Sequence, residues 1–266
     1  MNISSINGFS LYEIIIYFTI YAFLGWSTEV LYAYHVRGTF VNRGFLHGPF
    51  CPIYGSGIVM IIVLLDNYKN NILLLFILAA ILTSILEYIT GYILERFFNS
   101  KWWDYSEDAF NLHGRICLLF SILWGIACVF VIKVVQPIIH MITIKIPEKL
   151  LPIISFVIVV YFITDLIFTI ISLIEFNSII AQVTALKDQC MSQISSLHDS
   201  ALELSTSKSS DLEEYIAEVK EKCNSLVAKF KKNHVRLLNS FPHGSFNKTV
   251  NLLNDLKNYL NNRHNQ

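Results

Sequence analysis

The sequence predicts an all-α, polytopic membrane protein. It has five transmembrane helices, the second short or broken, and a C-terminal cytoplasmic region of helices or coiled coil. Three observations carry that prediction. Hydrophobic residues make up 54% of the chain and charged residues only 15%, far from the balance of soluble domains. The apolar residues gather into runs of about 20, enough to cross a bilayer core at about 1.5 Å per helical residue. The period-two alternation of a membrane barrel is absent, which leaves helices, whose backbone groups satisfy one another in lipid. The composition shifts near residue 176, dividing a transmembrane domain, 1–175, from a cytoplasmic helical tail, 176–266.

The first span is read over 11–34, LYEIIIYFTIYAFLGWSTEVLYAY. The residues before it, MNISSINGFS, lack the positive n-region of a signal peptide, so the run is expected to stay as an anchor. The second run, 50–65, is short and opens on CPIYGSG, which predicts a broken or re-entrant start. The third covers 72–94, the fourth 116–135 and the fifth 150–174, with Pro152 near its first turn, where a missing N–H is harmless. Lys and Arg set the orientation in a cell membrane. With the N-terminus outside, Arg37, Arg43, Arg96, Lys101, Arg115 and the basic tail are cytoplasmic, against Lys69, Lys133, Lys145 and Lys149 outside.

Beyond residue 176 the chain turns polar and periodic. Ile179, Val183, Leu186 and Cys190 repeat at spacings of four, three and four, and Leu197 and Leu204 keep the register. A linker, STSKSS (205–210), precedes a second helix from Leu212 to Phe230, opened by the capping box Ser210–x–x–Glu213. Pro242 and Gly244 mark a turn, and Phe246, Val250, Leu253 and Leu260 give a third helix. Each seam is short, so a partner helix, or homo-oligomerisation through these helices, is expected to complete it.

The chemistry is concentrated in a polar belt between the spans. Glu87, Gly91 and Glu95 are spaced by four and share one helix face. Glu95 is near the helix end, but Glu87 sits two turns inside an apolar run. There it needs a proton or a cationic partner, for which Arg43 and Arg115 are the candidates. Glu29 follows Gly25 by four residues and Trp26 by three; it is expected to pair with Arg43 or Arg115, as a working group or as a pair fixing helix register. Trp26 reads as an interfacial belt residue.

The segment NRGFLHGPFCPIYG (42–55) interleaves Arg43, His47 and Tyr54 with glycines and prolines. It reads either as a tight return turn or as an unwound entry whose free N–H groups suit an anionic head group beside Arg43. Trp102, Trp103 and Tyr105 around Asp104 read as an interfacial aromatic patch. Asp165 lies midway along the fifth span beside Thr164, with no evident partner in that helix. The candidate intramembrane polar site is therefore Glu29, Arg43, His47, Tyr54, Glu87, Glu95, Asp104 and Arg115, gathered at the cytoplasmic leaflet.

Other chemistry is expected to be absent. Cys51, Cys117, Cys128, Cys190 and Cys223 are scattered without metal-ligand spacing, so neither metal nor cofactor is expected. No GxxxxGK[ST], HExxH or GxSxG occurs, so no P-loop holds ATP and no catalytic residue is assigned. The net charge of zero supplies no field for nucleic acid.

GWSTEV, NRGFLHGPFCPIYG, EYITGYILERFF, KWWDYS and NLHGRICL, in that order, resemble the bacterial membrane proteins described as putative ABC-transporter permeases (type IV, CmpB-like). The resemblance covers about residues 15–140. It implies a bacterial permease embedded in the lipid bilayer and served by a separate ATPase subunit, and it brings no substrate or catalytic residues with it. Two other readings stay open. One is an intramembrane enzyme acting on a lipid or polyprenyl head group through paired carboxylates and Arg; the other is a membrane scaffold or sensor signalling through its coiled coil.

Overall fold

The computed structural model describes residues 5–98 and 101–201, with single tail positions at 218, 221, 222, 225 and 236. The expected second and third tail helices and the 205–210 linker lie outside the described residues. The structure is mostly helical. Helix α1 is Leu11–Arg37, α2 Pro52–Leu65, α3 Ile72–Phe98, α4 Leu118–Phe130, α5 Gln136–Thr143 and α6 Leu151–Ala201. Four helical stretches are long and apolar enough to cross a membrane: Leu11–Arg37, Ile72–Phe98, Leu118–Thr143 and Leu151–Leu186. The chain falls into two compact units, Met1–Ile170 and Ile171–Gln266.

Local chemistry sets the helix ends. Ser10 caps α1 through a reciprocal box with Glu13, and Gly38 closes it in the left-handed region at φ 68°. Pro52 stands at the first position of α2, so the helix begins cleanly. The expected broken start is displaced: the unwound stretch is residues 39–51, before the helix. The Asn71 side chain caps the Leu74 N–H at the start of α3. A π turn, Val131–Val135, joins α4 to α5. Pro137 just beyond it has no N–H to offer the preceding turn, and the widened turn carries the rod on to Thr143, past the expected end at 135.

Two short hairpins interrupt the helical pattern. Ser5–Ile6 (β1) pairs with Phe9–Ser10 (β2), and Asn111–Leu112 (β3) with Ile116–Cys117 (β4). Their turns place Asn7, Gly8, His113 and Gly114 at positive φ. The apolar runs conceal both hairpins, since their signal lies in a few turn residues.

Within the first unit α1 packs on α2 and α3 on α4, each pair through small residues. A Cβ on Gly55 would come within 2.6 Å of the Phe18 carbonyl on α1, and one on Gly125 within 2.7 Å of the Phe76 ring on α3. Ile61 and Leu65 of α2 meet Leu75 and Ala79 of α3 and Cys128 of α4 in one buried cluster. A second cluster joins Tyr17 and Tyr21 of α1 to Ile62 and Ile139. Its two phenols are satisfied across the interface, Tyr21 donating to Gln136 Oε1 at 2.6 Å and Tyr17 bonded to His140 Nδ1 at 2.8 Å. On α3 the buried stripe is Leu75, Ala79, Thr83 and Glu87 at a spacing of four, with Ile77, Ile81, Ile85 and Ile89 exposed on another face. This antiparallel order brings the end of α1, the start of α2, the end of α3 and the start of α4 to one end of the bundle.

In the second unit, α6 continues through the expected start of the tail. Leu173, Phe176, Ile179, Val183 and Leu186 are buried along it.

Candidate functional site

The converging helix ends hold three polar groups and one loop anchor. The first group is built on the close approach of α1 and α2 at Gly25, where any Cβ would overlap the Tyr54 ring. That approach lets the Tyr54 hydroxyl donate to Glu29 Oε1 at 2.5 Å, while Arg43 holds the other oxygen at 3.2 Å. The Arg43 guanidinium lies 5.8 Å from the centre of the Tyr32 ring. Its Nε is buried and has no hydrogen-bond partner among the described residues. The Tyr54 ring packs edge-on to Trp124 of α4 at 5.1 Å.

The second group is on α3. Glu87 is 8% exposed. Its Oε1 accepts the Tyr105 hydroxyl at 3.1 Å, and its Oε2 is buried without a partner among the described residues. Neither Arg43 nor Arg115, the cations expected for it, takes that place: Arg43 is on Glu29 and Arg115 on Glu95. The reason is reach, since Arg115 leaves the β3–β4 hairpin beside the Tyr88–Tyr92–Glu95 face of α3. Tyr105 stacks on Phe120, ring centres 4.8 Å apart. Burial, then the adjacent Glu87 carboxylate, push its phenol well above the usual range, and the more distant Glu29 acts in the same direction. Tyr105 is thus a committed donor, and it lies within the electrostatic reach of both carboxylates.

In the third group Arg115 donates through Nε and Nη2 to Glu95 Oε2 at 3.0 and 2.8 Å. Its guanidinium stands 5.3 and 5.4 Å from the ring centres of Tyr88 and Tyr92. Gly91 makes room here, because a Cβ would come within 3.2 Å of the Trp103 ring and 3.6 Å of Arg115.

The anchor concerns His47. Its backbone N–H and that of Gly48 donate to the two oxygens of Asp165 at 3.0 and 2.9 Å, and its Nδ1 lies 2.9 Å from the Thr169 hydroxyl. The amides that suited an anionic head group are therefore already occupied by a carboxylate of α6.

Asp104 stands apart from the other candidate residues. It accepts from Ser106 and from Lys101 Nζ at 3.2 Å and closes its own turn. Slight burial works against its charge, but the Ser106 and Lys101 bonds outweigh this and hold its carboxyl below the usual range.

The aromatic patch is also rearranged. Trp102 is buried against Phe45 at 5.5 Å, Trp103 donates to the Arg115 carbonyl at 2.9 Å, and Tyr105 turns to Glu87. Trp26 likewise has a specific partner, donating to Asn42 Oδ1 at 2.7 Å. Three residues left off the candidate list prove central: Tyr105, Asn42 and Asp165. The ionisable Asp165 inside an apolar run was the available signal. Its partners are backbone amides, which carry no mark in a sequence.

Four helical stretches long and apolar enough to cross a membrane fit an integral membrane protein. The family model described as "Putative ABC-transporter type IV" matches residues 16–170, more than half of the chain, and the protein belongs to that family. No curated protein and no solved structure matches the chain.

Proposed function

We propose that this protein is the membrane subunit of an ABC-type transporter, with an intramembrane polar site at the cytoplasmic leaflet centred on Glu29, Arg43, Tyr54 and Glu87. In this reading the chain crosses the cell membrane five times, Pro52–Leu65 being the short span. The N-terminus is outside, and the tail from about residue 176 is a cytoplasmic helical arm for oligomerisation or for the ATPase. Arg115–Glu95 braces one wall of the site, His47 fixes the loop, and Asp104 shapes the outer turn.

One observation carries the reading. Glu87 keeps a buried carboxylate oxygen without a partner among the described residues, beside a phenol that holds the other oxygen. A buried polar atom without a hydrogen-bond partner costs about 1–3 kcal/mol, a sizeable part of the stability of a domain. Purely structural carboxylates are ordinarily satisfied, as Glu95 and Asp165 are here. The unsatisfied oxygen is suited to meet a donor that arrives with the transported species. Family membership supports a separate ATPase, since the sequence has no P-loop of its own.

The test is purification of the full chain from native membranes in mild detergent, followed by assay for associated ATP hydrolysis. The expected result is a co-purifying ATPase whose turnover is lost in Glu87→Gln while the complex stays assembled. A chain that purifies alone, with no hydrolysis above background, overturns the transport reading. A lipid or polyprenyl product accumulating instead would favour an intramembrane enzyme.

A further inference from the structure

We propose that Asp165 is a positioning residue for Arg43: through the loop at 39–51 it sets where the guanidinium meets Glu29. The importance of that placement rests on the reading of the polar site above; the coupling itself is measurable without any transport activity.

The loop has no regular backbone ladder of its own, so side chains and isolated bonds must hold it. On the α1 side, Gly38 N–H donates to the Tyr34 carbonyl and Cys51 N–H to the Ala22 carbonyl, both at 2.9 Å. These fix the two ends and leave the centre to be placed. At the centre, Asp165 grips two successive amides, one carboxylate oxygen each. Two parallel bonds to one carboxylate fix orientation as well as distance.

The grip is transmitted to Arg43 by a short chain of bonds. The His47 peptide that Asp165 holds by its N–H end belongs to a residue whose carbonyl accepts from Asn42 Nδ2 at 3.0 Å. Asn42 Oδ1 in turn accepts from Trp26 Nε1 and from the Gly44 N–H at 3.0 Å, so the residues on both sides of Arg43 are tied to one amide side chain. Arg43 then meets Glu29 at 3.2 Å.

Two further observations fit a device with little slack. Asp165 is 8% exposed, and no other charged residue lies between Leu151 and Ile174. A Cβ at position 48 would meet the Tyr161 hydroxyl and approach Asp165 Oδ2 to 2.8 Å, so any larger residue must displace one of these two side chains. Energy is coupled between two sites when a contiguous set of contacts joins them, and a double-mutant cycle measures it.

The experiment is such a cycle on the full chain in detergent, read by unfolding midpoint and by amide hydrogen exchange. Asp165→Asn keeps the size but offers one acceptor where two are needed. Exchange at His47 and Gly48 is expected to quicken roughly tenfold, about what one net backbone bond is worth. The positioning claim requires faster exchange also at Asn42, Arg43 and Gly44. It requires too that Asp165→Asn with Arg43→Met lower the midpoint by clearly less than the two single shifts together. Thr164→Ala, whose hydroxyl bonds only its own helix at Val160, should add normally to Arg43→Met. Should Asp165→Asn fail to fold, Gly48→Ala disturbs the same grip from the loop side and should couple to Arg43→Met in the same way. Additive shifts, or unchanged exchange at 42–44, overturn the proposal. A coupled cycle in a protein whose Glu87→Gln variant works normally would sink the transport-site reading and leave the positioning role standing.

Discussion

Removing Glu87 and Tyr105 together should make the protein more stable while abolishing its function. Burying a polar group without a partner costs about 1–3 kcal/mol, whereas removing both members of a buried pair can be neutral or stabilising. Glu87, 8% exposed, has one oxygen bonded to Tyr105 and one without a partner among the described residues. Tyr105→Phe alone removes the donor to Oε1 and should cost about 1–3 kcal/mol, the range for leaving a buried polar group without its partner. Glu87→Leu alone removes the unsatisfied oxygen but strands the Tyr105 hydroxyl, so gain and loss should cancel to within about 1 kcal/mol. Glu87→Leu with Tyr105→Phe removes both liabilities and preserves the stack on Phe120. It should gain about 1–3 kcal/mol over the natural protein.

The assay is reversible unfolding in mixed micelles followed by tryptophan fluorescence, with Tyr105→Phe least stable and the double variant most stable. A double variant less stable than the natural protein by more than about 1 kcal/mol would mean that Glu87 holds the bundle together, and the argument from its unsatisfied oxygen would fail.

Three further outcomes follow from the same geometry. Gly25→Val should displace Tyr54 from Glu29 and cost about 1–3 kcal/mol by overpacking, seen as a lower melting temperature; an unchanged melting temperature would show that α1 and α2 part easily. Arg115→Lys keeps the charge but loses the Nε–Nη2 fork and the stacking between Tyr88 and Tyr92. It should recover less than half of the roughly 1–2 kcal/mol lost in Arg115→Met, and full recovery in chemical denaturation would refute the role of geometry. Because the Asp104 carboxyl is held below its ordinary 3.8 in the folded chain, its stabilising contribution is present above that pH and fades as the pH falls through the folded value. Asp104→Asn should therefore flatten the acid limb of the stability curve below about pH 4 and leave the neutral region parallel; an unaltered acid limb would remove Asp104 from the turn's electrostatics.

The sequence by itself determined the helices, because in lipid a long apolar run has one way to satisfy its backbone. The expected runs at 11–34 and 72–94 fall on observed helices, lengthened to Arg37 and Phe98, and the run at 116–135 becomes helix from Leu118 and continues to Thr143. It also marked the ionisable residues, since a charge inside an apolar run stands out whatever the fold. What it did not contain was the pairing. Arg43 and Arg115 are interchangeable in composition, and the tertiary structure alone sends one to Glu29 and the other to Glu95, leaving Glu87 to a tyrosine from the loop between α3 and α4. Asp165 shows the limit most clearly: its partners are the peptide groups of His47 and Gly48, donors that every such residue carries, so their selection exists only once the loop and α6 have been packed together.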